Sequence, residues 1–353
     1  MSEIKYHNYT AADVRAWLYG GVKNGLSEQV ISKVRANAIL HNPYLTNDMV
    51  VVVSATDGDK IVGFTAMFPE HLVRPNIRLS CVTTLYAHPD YAGEFIGYYV
   101  SKALHDTANG RLVIGSDITP TAVLIDKLLG LKADIYPRKR MIIRRTIPWD
   151  SLHHVLSSFY EPIRLWKQHR AKQRVIDLIP HNIQLEYTSF VDAEMYDFIV
   201  RHSDDSMFVR SQEMLNWIMA YPFSVDAPLV QYEVKQNEFC SHTLHRTRNL
   251  FKVYLGRQLI GICMLVADVR NANIRMLYVC KEYNDVVYAV LLRHVLDAGS
   301  KTLHSVYKDF NTFVEISKVA FKIYEEPYVF THPRSLLMSQ DKQMQGMDGD
   351  SFA

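Results

Sequence analysis

Hydrophobic positions along the chain recur in two rhythms, and the switches between them mark its elements. Apolar residues fall three and four apart over 11–19 and 27–39, which predicts two helices, with Thr10 and Ser27 placed to cap them. His41-Asn42-Pro43 ends the second, because the residue before a proline is pushed out of the helical region. Over 49–55 the rhythm becomes a continuous β-branched run, the pattern of a buried strand. Asp57-Gly58-Asp59 is a turn, so 49–55 and 60–68 read as a hairpin that Pro69-Glu70-His71 breaks. A third strand, 77–87, leads into a turn at His88-Pro89-Asp90, a glycine-containing loop and an amphipathic helix reaching to about residue 105. Asn109-Gly110 stops that helix; a short strand at 112–115 follows. Thr119-Pro120 opens another helix, stopped at Gly130, and 140–147 reads as a closing strand. The order α-α-β-β-β-α-β-α-β describes an α/β (α+β) unit, a mixed sheet with helices on its faces and the stretch 85–100 at its centre.

The pattern then repeats. Helices at 191–201 and 211–219 match the first pair, and 250–254 with 258–266 form a hairpin through Gly256. A strand at 273–280, a helix at 286–297, a strand near 303–307 and a helix from Asn311 follow. Lys60-Ile61-Val62-Gly63 is echoed by Gln258-Leu259-Ile260-Gly261, and Leu85-Tyr86-Ala87-His88-Pro89-Asp90-Tyr91 by Leu277-Tyr278-Val279-Cys280-Lys281-Glu282-Tyr283. In that register Phe95 falls on Val287, Gly97 on Ala289 and Leu104 on Leu296. Two copies of one fold are expected rather than two unrelated domains: residues 1–147, a helical linker over 148–182, a second copy over 183–335, and a polar, disordered tail over 336–353. The linker reads as helices at 151–160 and 163–176. The second is basic, with Arg164, Lys167, His169, Arg170, Lys172 and Arg174, and is expected to be a solvated connector.

Composition narrows the class. A hydrophobic content of 48% and a charged content of 22% fit a globular protein with a sizeable core. The 353 residues suit two domains of about 150–180 residues each. A net charge of +2 demands no polyanionic partner. Cys81, Cys240, Cys263 and Cys280 are scattered and form no CxxC pair, which argues for a reducing compartment and against a zinc site. The first residues, Met1-Ser2-Glu3-Ile4-Lys5, do not read as a signal peptide. The longest apolar runs, 49–53 and 286–292, are too short to span a bilayer. A cytoplasmic location, with no membrane and no metal, is therefore expected.

Chemistry concentrates at 85–100. A loop between a strand end and a helix start turns unpaired helical N–H groups toward whatever lies above it, and the helix dipole adds positive potential there, so it is a ready anion site. Three features, in this order, carry a family likeness: Val62-Gly63-Phe64 in a hairpin; Leu85-x-Ala87-His88-Pro89-x-Tyr91-x-Gly93-x-x-Ile96-Gly97; and Thr119-x-x-Ala122 opening a helix that ends at Gly130-Leu131. Together they resemble the GCN5-related N-acetyltransferase superfamily, over 10–147 and more loosely over 183–332. The resemblance implies two tandem acyl-CoA N-acyltransferase-like domains with acetyl-CoA, or another acyl-CoA, as co-substrate. The strand end Leu85, Tyr86 and Ala87 would hold the pantetheine arm through its backbone. The loop Gly93, Glu94, Phe95, Ile96, Gly97 and Tyr98 would cradle the pyrophosphate, with Thr119 at the next helix start. Against the family's Gln/Arg-x-x-Gly-x-Gly/Ala pattern, Ala92 stands at the first position, Phe95 at the first glycine and Gly97 at the second. Asp126 stands where the family often has a general-acid tyrosine, and such an acid is ionised near neutral pH unless buried. The second copy's loop, Asn284-Asp285-Val286-Val287-Tyr288-Ala289, lacks glycine and adds a carboxylate, so the first copy is the expected coenzyme site.

Direct transfer needs a base for the acceptor amine. Glu70, after the strand carrying Gly63, and Asp117, after 112–115, are the candidates, with His71 behind them. No Ser-His-Asp or Cys-His pair supports a covalent intermediate. The leading expectation is an N-acyltransferase acting on a small-molecule or peptide amine, its second copy contributing to the acceptor pocket. The alternatives are a Fem-type transferase using aminoacyl-tRNA, which only the basic linker supports, and an inactive pair that binds a ligand or partner.

Overall fold

A computed structural model describes residues 3–23, 25–144, 153–223, 225–226, 242–243, 247–268, 270–336 and 342–345. The first half comprises β1 (Ile4–Thr10), α1 (Ala11–Leu18), α2 (Lys33–Leu40), β2 (Val50–Asp57), β3 (Lys60–Arg74), β4 (Ile77–Ala87), α3 (Ile96–Asp106), β5 (Leu112–Ser116), α4 (Pro120–Leu128) and β6 (Leu131–Ile142). The linker is α5 (His153–Ile176). The second half comprises β7 (Ile183–Thr188), α6 (Ala193–Arg201), β8 (Val209–Arg210), α7 (Gln212–Ala220), β9 (Val225–Asp226), β10 (His242–Thr243), β11 (Thr247–Leu255), β12 (Gln258–Ala267), β13 (Asn271–Val279), α8 (Asn284–Asp297), β14 (Thr302–Ser305), α9 (Lys308–Ser317) and β15 (Lys322–Pro333). Among the described residues no helix is long and apolar enough to cross a membrane.

Each half is a mixed, mostly antiparallel sheet flanked by helices, and the two join edge to edge in the order β1-β2-β3-β4-β5-β15-β6-β14-β13-β12-β11-β7. The only parallel neighbours on this path among the described strands are β4 with β5 and β13 with β14. At the centre the halves exchange strands. β15 lies between β5 and β6, and β6 lies between β15 and β14, in one antiparallel register from Lys322↔Ile142 to Pro333↔Leu131.

The duplication extends to irregularities in the ladders. The register of β3 with β4 slips so that Thr83 is an extra residue, and that of β12 with β13 slips so that Arg275 is, at matching places in the two copies. A bulge leaves its extra residue outside the ladder and bends the strand. Gly63 and Gly261 match as well. A Cβ at Gly63 would meet Ile96 Cγ2 at 2.2 Å, and one at Gly261 would meet Val287 Cγ1 at 2.8 Å, so both glycines let the following helix lie directly on the sheet.

Several expectations change. β3 does not end at Pro69-Glu70-His71 but runs on to Arg74. β2 pairs with β3 only as far as Ala66, so Pro69 stands on a free edge where its missing N–H costs no ladder bond. The last strand of the first half starts at Leu131 rather than 140, recruited by β15 and β14; residues 145–147 of the expected strand lie outside the described residues. Helix α2 starts at Lys33, with Ser32 rather than Ser27 accepting the Arg35 N–H at 3.2 Å. α5 is continuous through Pro162. The edge strands β1 and β7 carry half-exposed, polar patterns and are invisible to periodicity. The tail is expected to be disordered, yet in its described residues Met344 is 2% and Gln345 3% exposed.

The halves also meet through side chains. Trp217 of α7 donates its indole N–H to the Ala38 carbonyl at 2.7 Å, and Tyr44 bonds Ser211. Glu70 of β3 and Arg210 of β8, 0% and 3% exposed, form a buried ion pair with Nε–Oε1 at 2.5 Å.

Candidate active site

β4 and β5 pair over only three residues, Leu79↔Leu112 to Cys81↔Ile114. Beyond them the strands part, since β5 turns to β15 at Gly115 and Ser116 while β4 continues through the Thr83 bulge to Ala87. A parted pair of parallel strands exposes backbone donors and acceptors to a ligand in place of a neighbouring strand. A cavity of about 260 Å³ fills the gap. Val82, Thr83, Thr84 and Leu85 form one wall and Gly115, Ser116, Asp117 and Ile118 the other; Ser101, Leu104 and His105 of α3 and Thr119, Ala122 and Asp126 at α4 close it. Arg35 of α2 fixes the bulge by donating to the Thr83 carbonyl at 2.9 Å and its hydroxyl at 2.8 Å.

The loop sits at the end of this gap. Residues Pro89–Glu94 form a 3-10 turn, and Phe95 takes a left-handed conformation (φ 52°, ψ 29°) as the residue capping α3, with no side chain bonded to the first helical N–H groups. Phe95 is 65% exposed, and Ile96 is buried against Gly63. Gly93 and Glu94 are exposed, and Tyr98 is half-buried. Gly97 is wedged between Ile125 of α4 and Ala87 at the end of β4; a Cβ there would meet Ile125 Cδ1 at 2.9 Å. Tyr86 stacks on Phe64 at 5.1 Å between ring centroids. The nearby cations already have partners, Lys60 with Asp90 at 3.6 Å and Lys102 with Asp106 at 2.6 Å.

The structure thus brings Leu85, Asp117 and Thr119 onto the cavity wall, while Tyr86, Ala87 and the loop 93–98, which continue from the end of β4, line no part of it. Thr119 caps α4 by accepting the Ala122 N–H at 3.3 Å. Asp117, at φ 51°, accepts from Arg138 at 2.7 Å, a charge pair that occupies one of its carboxylate oxygens. Glu70 is elsewhere: besides Arg210 it accepts from the Cys81 thiol at 3.3 Å, and it lines no part of the cavity.

Two titratable groups in the cavity, Asp126 and His105, take their character from burial. Burial pushes the Asp126 carboxyl up to about 6, opposed by a 2.5 Å hydrogen bond from Thr331 of β15. Gly115 makes room for that contact, because a Cβ there would stand 2.8 Å from Thr331 Oγ1 and 3.5 Å from Asp126 Oδ2. Burial lowers the His105 imidazole to about 4, so it is neutral near pH 7. Sequence alone places Asp126 at a notable position but not in an apolar cleft, and it cannot see a threonine 205 residues away.

The second copy repeats the parting, with β13 and β14 pairing over Asn271↔Thr302 to Asn273↔His304; its own chain bridges the parted strands, and a cavity of about 510 Å³ lies between α5, the start of α8 and α9. The Tyr307 hydroxyl bonds the bulge carbonyl of Arg275 at 3.1 Å and Gln345 Oε1 at 2.7 Å. The Gln343 side chain donates to the Val306 carbonyl at 2.8 Å, and its backbone carbonyl accepts from Met207 at 2.9 Å. α5 packs against both α8 and α9.

No protein-family model and no curated protein sequence matches the chain. Solved structures do match its fold. A GCN5-related N-acetyltransferase from Kribbella flavida aligns with a TM-score of 0.52 at 11% identity, covering 93% of this chain and 71% of that one. A putative acetyltransferase from Pyrococcus horikoshii gives 0.51 at 10% identity, covering 96% and 91%. A tandem protein of the same class from the clavulanic acid biosynthesis pathway gives 0.50 at 13% identity, covering 96% and 100%. With two copies of the parted sheet in one chain, each followed by a helix laid on it, this protein has the tandem GCN5-related N-acetyltransferase fold.

Proposed function

We propose that the first copy binds an acyl-CoA in the gap between β4 and β5 and transfers its acyl group directly to an amine. The observation that carries this reading is the cavity itself, which has a bulged strand on one wall, the start of α4 on another and a burial-tuned carboxyl within. The second copy, its parted strands bridged by the tail, serves in this reading as support: its strand β15 supplies the Thr331 hydroxyl that bonds Asp126.

The residues present fit the thioester arm well. The edge of β4 beyond Cys81, unpaired with β5, offers backbone partners apart from the Thr83 and Thr84 carbonyls, which Arg35 and Thr65 hold, and Thr84, Ser101 and Ser116 add hydroxyls around the cavity. The phosphates would rest on the backbone N–H groups and dipole of α3, because Lys60 and Lys102 are held by carboxylates. When bound, the coenzyme supplies an activated thioester. Asp126 then handles the proton: its carboxylate takes one from the acceptor nitrogen as the N–C bond forms and returns it to the sulfur as the C–S bond breaks. A pKa near 6 suits both steps, since an acid–base group works best when its pKa lies near the working pH. Thr331 orients the carboxylate.

Thermal unfolding with acetyl-CoA and with coenzyme A tests the donor. An upward shift with either is expected, and no shift with any coenzyme A thioester would sink the proposal. Ala122→Phe fills the cavity from α4 and should abolish the shift while the unliganded protein still unfolds cooperatively; a shift that survives moves the site elsewhere. Asp126→Asn should lower turnover by about 10²–10⁴-fold and remove the acidic limb of the rate profile near pH 6.

A further inference from the structure

A second concavity lies where α5 passes the turn from α9 into β15. It is a cavity of about 790 Å³. Trp166, Lys167, Arg170 and Arg174 line it from α5, at spacings that put them along one side of the helix, and Lys318 and Phe321 line it from the turn. Lys167, Arg170, Arg174 and Lys318 are all exposed. Among the described residues no carboxylate comes within 4.0 Å of any of the four. The contrast with their neighbours is sharp: Lys139 is paired with both Glu315 and Glu325, and Arg140 with Glu326. From Pro162 to Ile176 the chain carries five Lys and Arg residues and no acid, although the whole protein is only +2.

Two further features suit a ligand rather than a solvated face. The groove's frame is rigid, since Gln168, 8% exposed, donates its amide to the carbonyls of Ile143 at 2.7 Å and Val319 at 3.0 Å and so ties α5 to the turn. The cations therefore stand on a fixed platform, which lowers the ordering cost of binding. Trp166 is 52% exposed at the rim, with the Arg170 guanidinium 4.1 Å from its ring centre. More positive charge flanks the groove: burial and the neighbouring Arg144 both lower the Lys172 ammonium. Converging cations around a concavity focus potential and raise the local anion concentration. Guanidinium groups bind phosphate oxygens in bidentate fashion, and the half-exposed tryptophan offers a stacking face.

We propose that this groove binds an oligophosphate anion, with phosphate oxygens on Lys167, Arg170, Arg174 and Lys318. This does not rest on the acyl-donor reading, because the groove shares no residue with the cleft between β4 and β5. The test is calorimetric titration of the full chain with sodium tripolyphosphate and with ATP at low salt, beside tryptophan fluorescence. Saturable binding of tripolyphosphate is expected, weakening as salt rises. Lys167→Ala/Arg170→Ala should weaken it about 100-fold, at roughly tenfold for each charge-assisted contact. Trp166→Phe should lose the fluorescence change and keep the heat. ATP binding more tightly than tripolyphosphate would assign the site to nucleotides, and equal affinity to free oligophosphates. No saturable heat with either ligand up to millimolar, or an unchanged affinity in the double variant, overturns the proposal. The double variant should keep its thermal shift with acetyl-CoA, so failure here is distinguishable from failure at the cleft.

Discussion

Replacing Glu70 by glutamine separates two roles that the residue's position in the chain permits. Its carboxylate is 0% exposed and faces an Arg210 guanidinium that is 3% exposed, with Nε–Oε1 at 2.5 Å and Nη2–Oε2 at 3.2 Å. Glu70→Gln keeps the shape and one acceptor oxygen but removes the negative charge that the buried guanidinium faces across the 2.5 Å contact. Breaking a buried pair from one side costs about 3–5 kcal/mol, and the retained acceptor puts this case near the lower end. For a cooperative unit of about 150–250 residues each kcal/mol moves Tm by about 2–4 °C, so a fall of roughly 6–12 °C is expected. Glu70→Gln/Arg210→Met, with both charges gone, should recover most of that loss, since well-packed apolar replacements of buried pairs are often neutral. Calorimetric unfolding of the two variants beside wild type reads the effect, and transfer activity is assayed well below the lower Tm. Glu70→Gln should then stay active. A variant that unfolds within about 2 °C of wild type yet has lost transfer would refute the structural role and return Glu70 to candidacy as the base.

Phe95→Gly should stabilise the protein by about 0.5–1 kcal/mol, because Phe95 holds a left-handed conformation at φ 52° with a mostly exposed ring; a lower Tm would contradict this. The Asp126 carboxyl, raised from 3.8 to about 6, favours the folded state fully below pH 3.8, and that contribution is lost as pH rises through about 6. Asp126→Asn should therefore match wild type near pH 4 and exceed it at pH 8 by about 1–2 kcal/mol, the full shift being discounted for partial exposure; equal Tm values at both pH values would sink that account. Deleting residues from 342 onward uncovers Tyr307 and removes the bonds made by Gln343 and Gln345, so Tm should drop by several degrees, at about 1 kcal/mol per bond lost. An unchanged Tm would mean that the tail contributes nothing.

Much of the architecture is legible from residue order. The hairpin over 49–68, the strand 77–87 and the helices opened by Thr119 and capped by Ser211 follow from β-branched runs, turn residues and caps acting over a few neighbours. The duplication is legible too, because repeats preserve the glycines that a helix lying on a sheet demands, Gly63 and Gly261. Of the residues that the motif names, Leu85 and Thr119 stand on the cavity wall, while the loop 93–98 does not. Glu70 could not be judged from residue order, since Pro69 reads as a strand end until the free edge of β3 is known.

Local pattern, then, determined that this chain folds as two copies of one α/β unit with a helix start at the end of a central strand in each. Those features depend on interactions within a few residues. What stands in each copy's cavity depended on contacts between distant segments. β15 crosses into the first half and brings Thr331 onto Asp126, while the tail bonds Tyr307 and α5 lines the cavity beside α8 and α9 in the second half. Burial gave Asp126 its pKa, and burial is a property of the packed assembly rather than of any stretch of sequence.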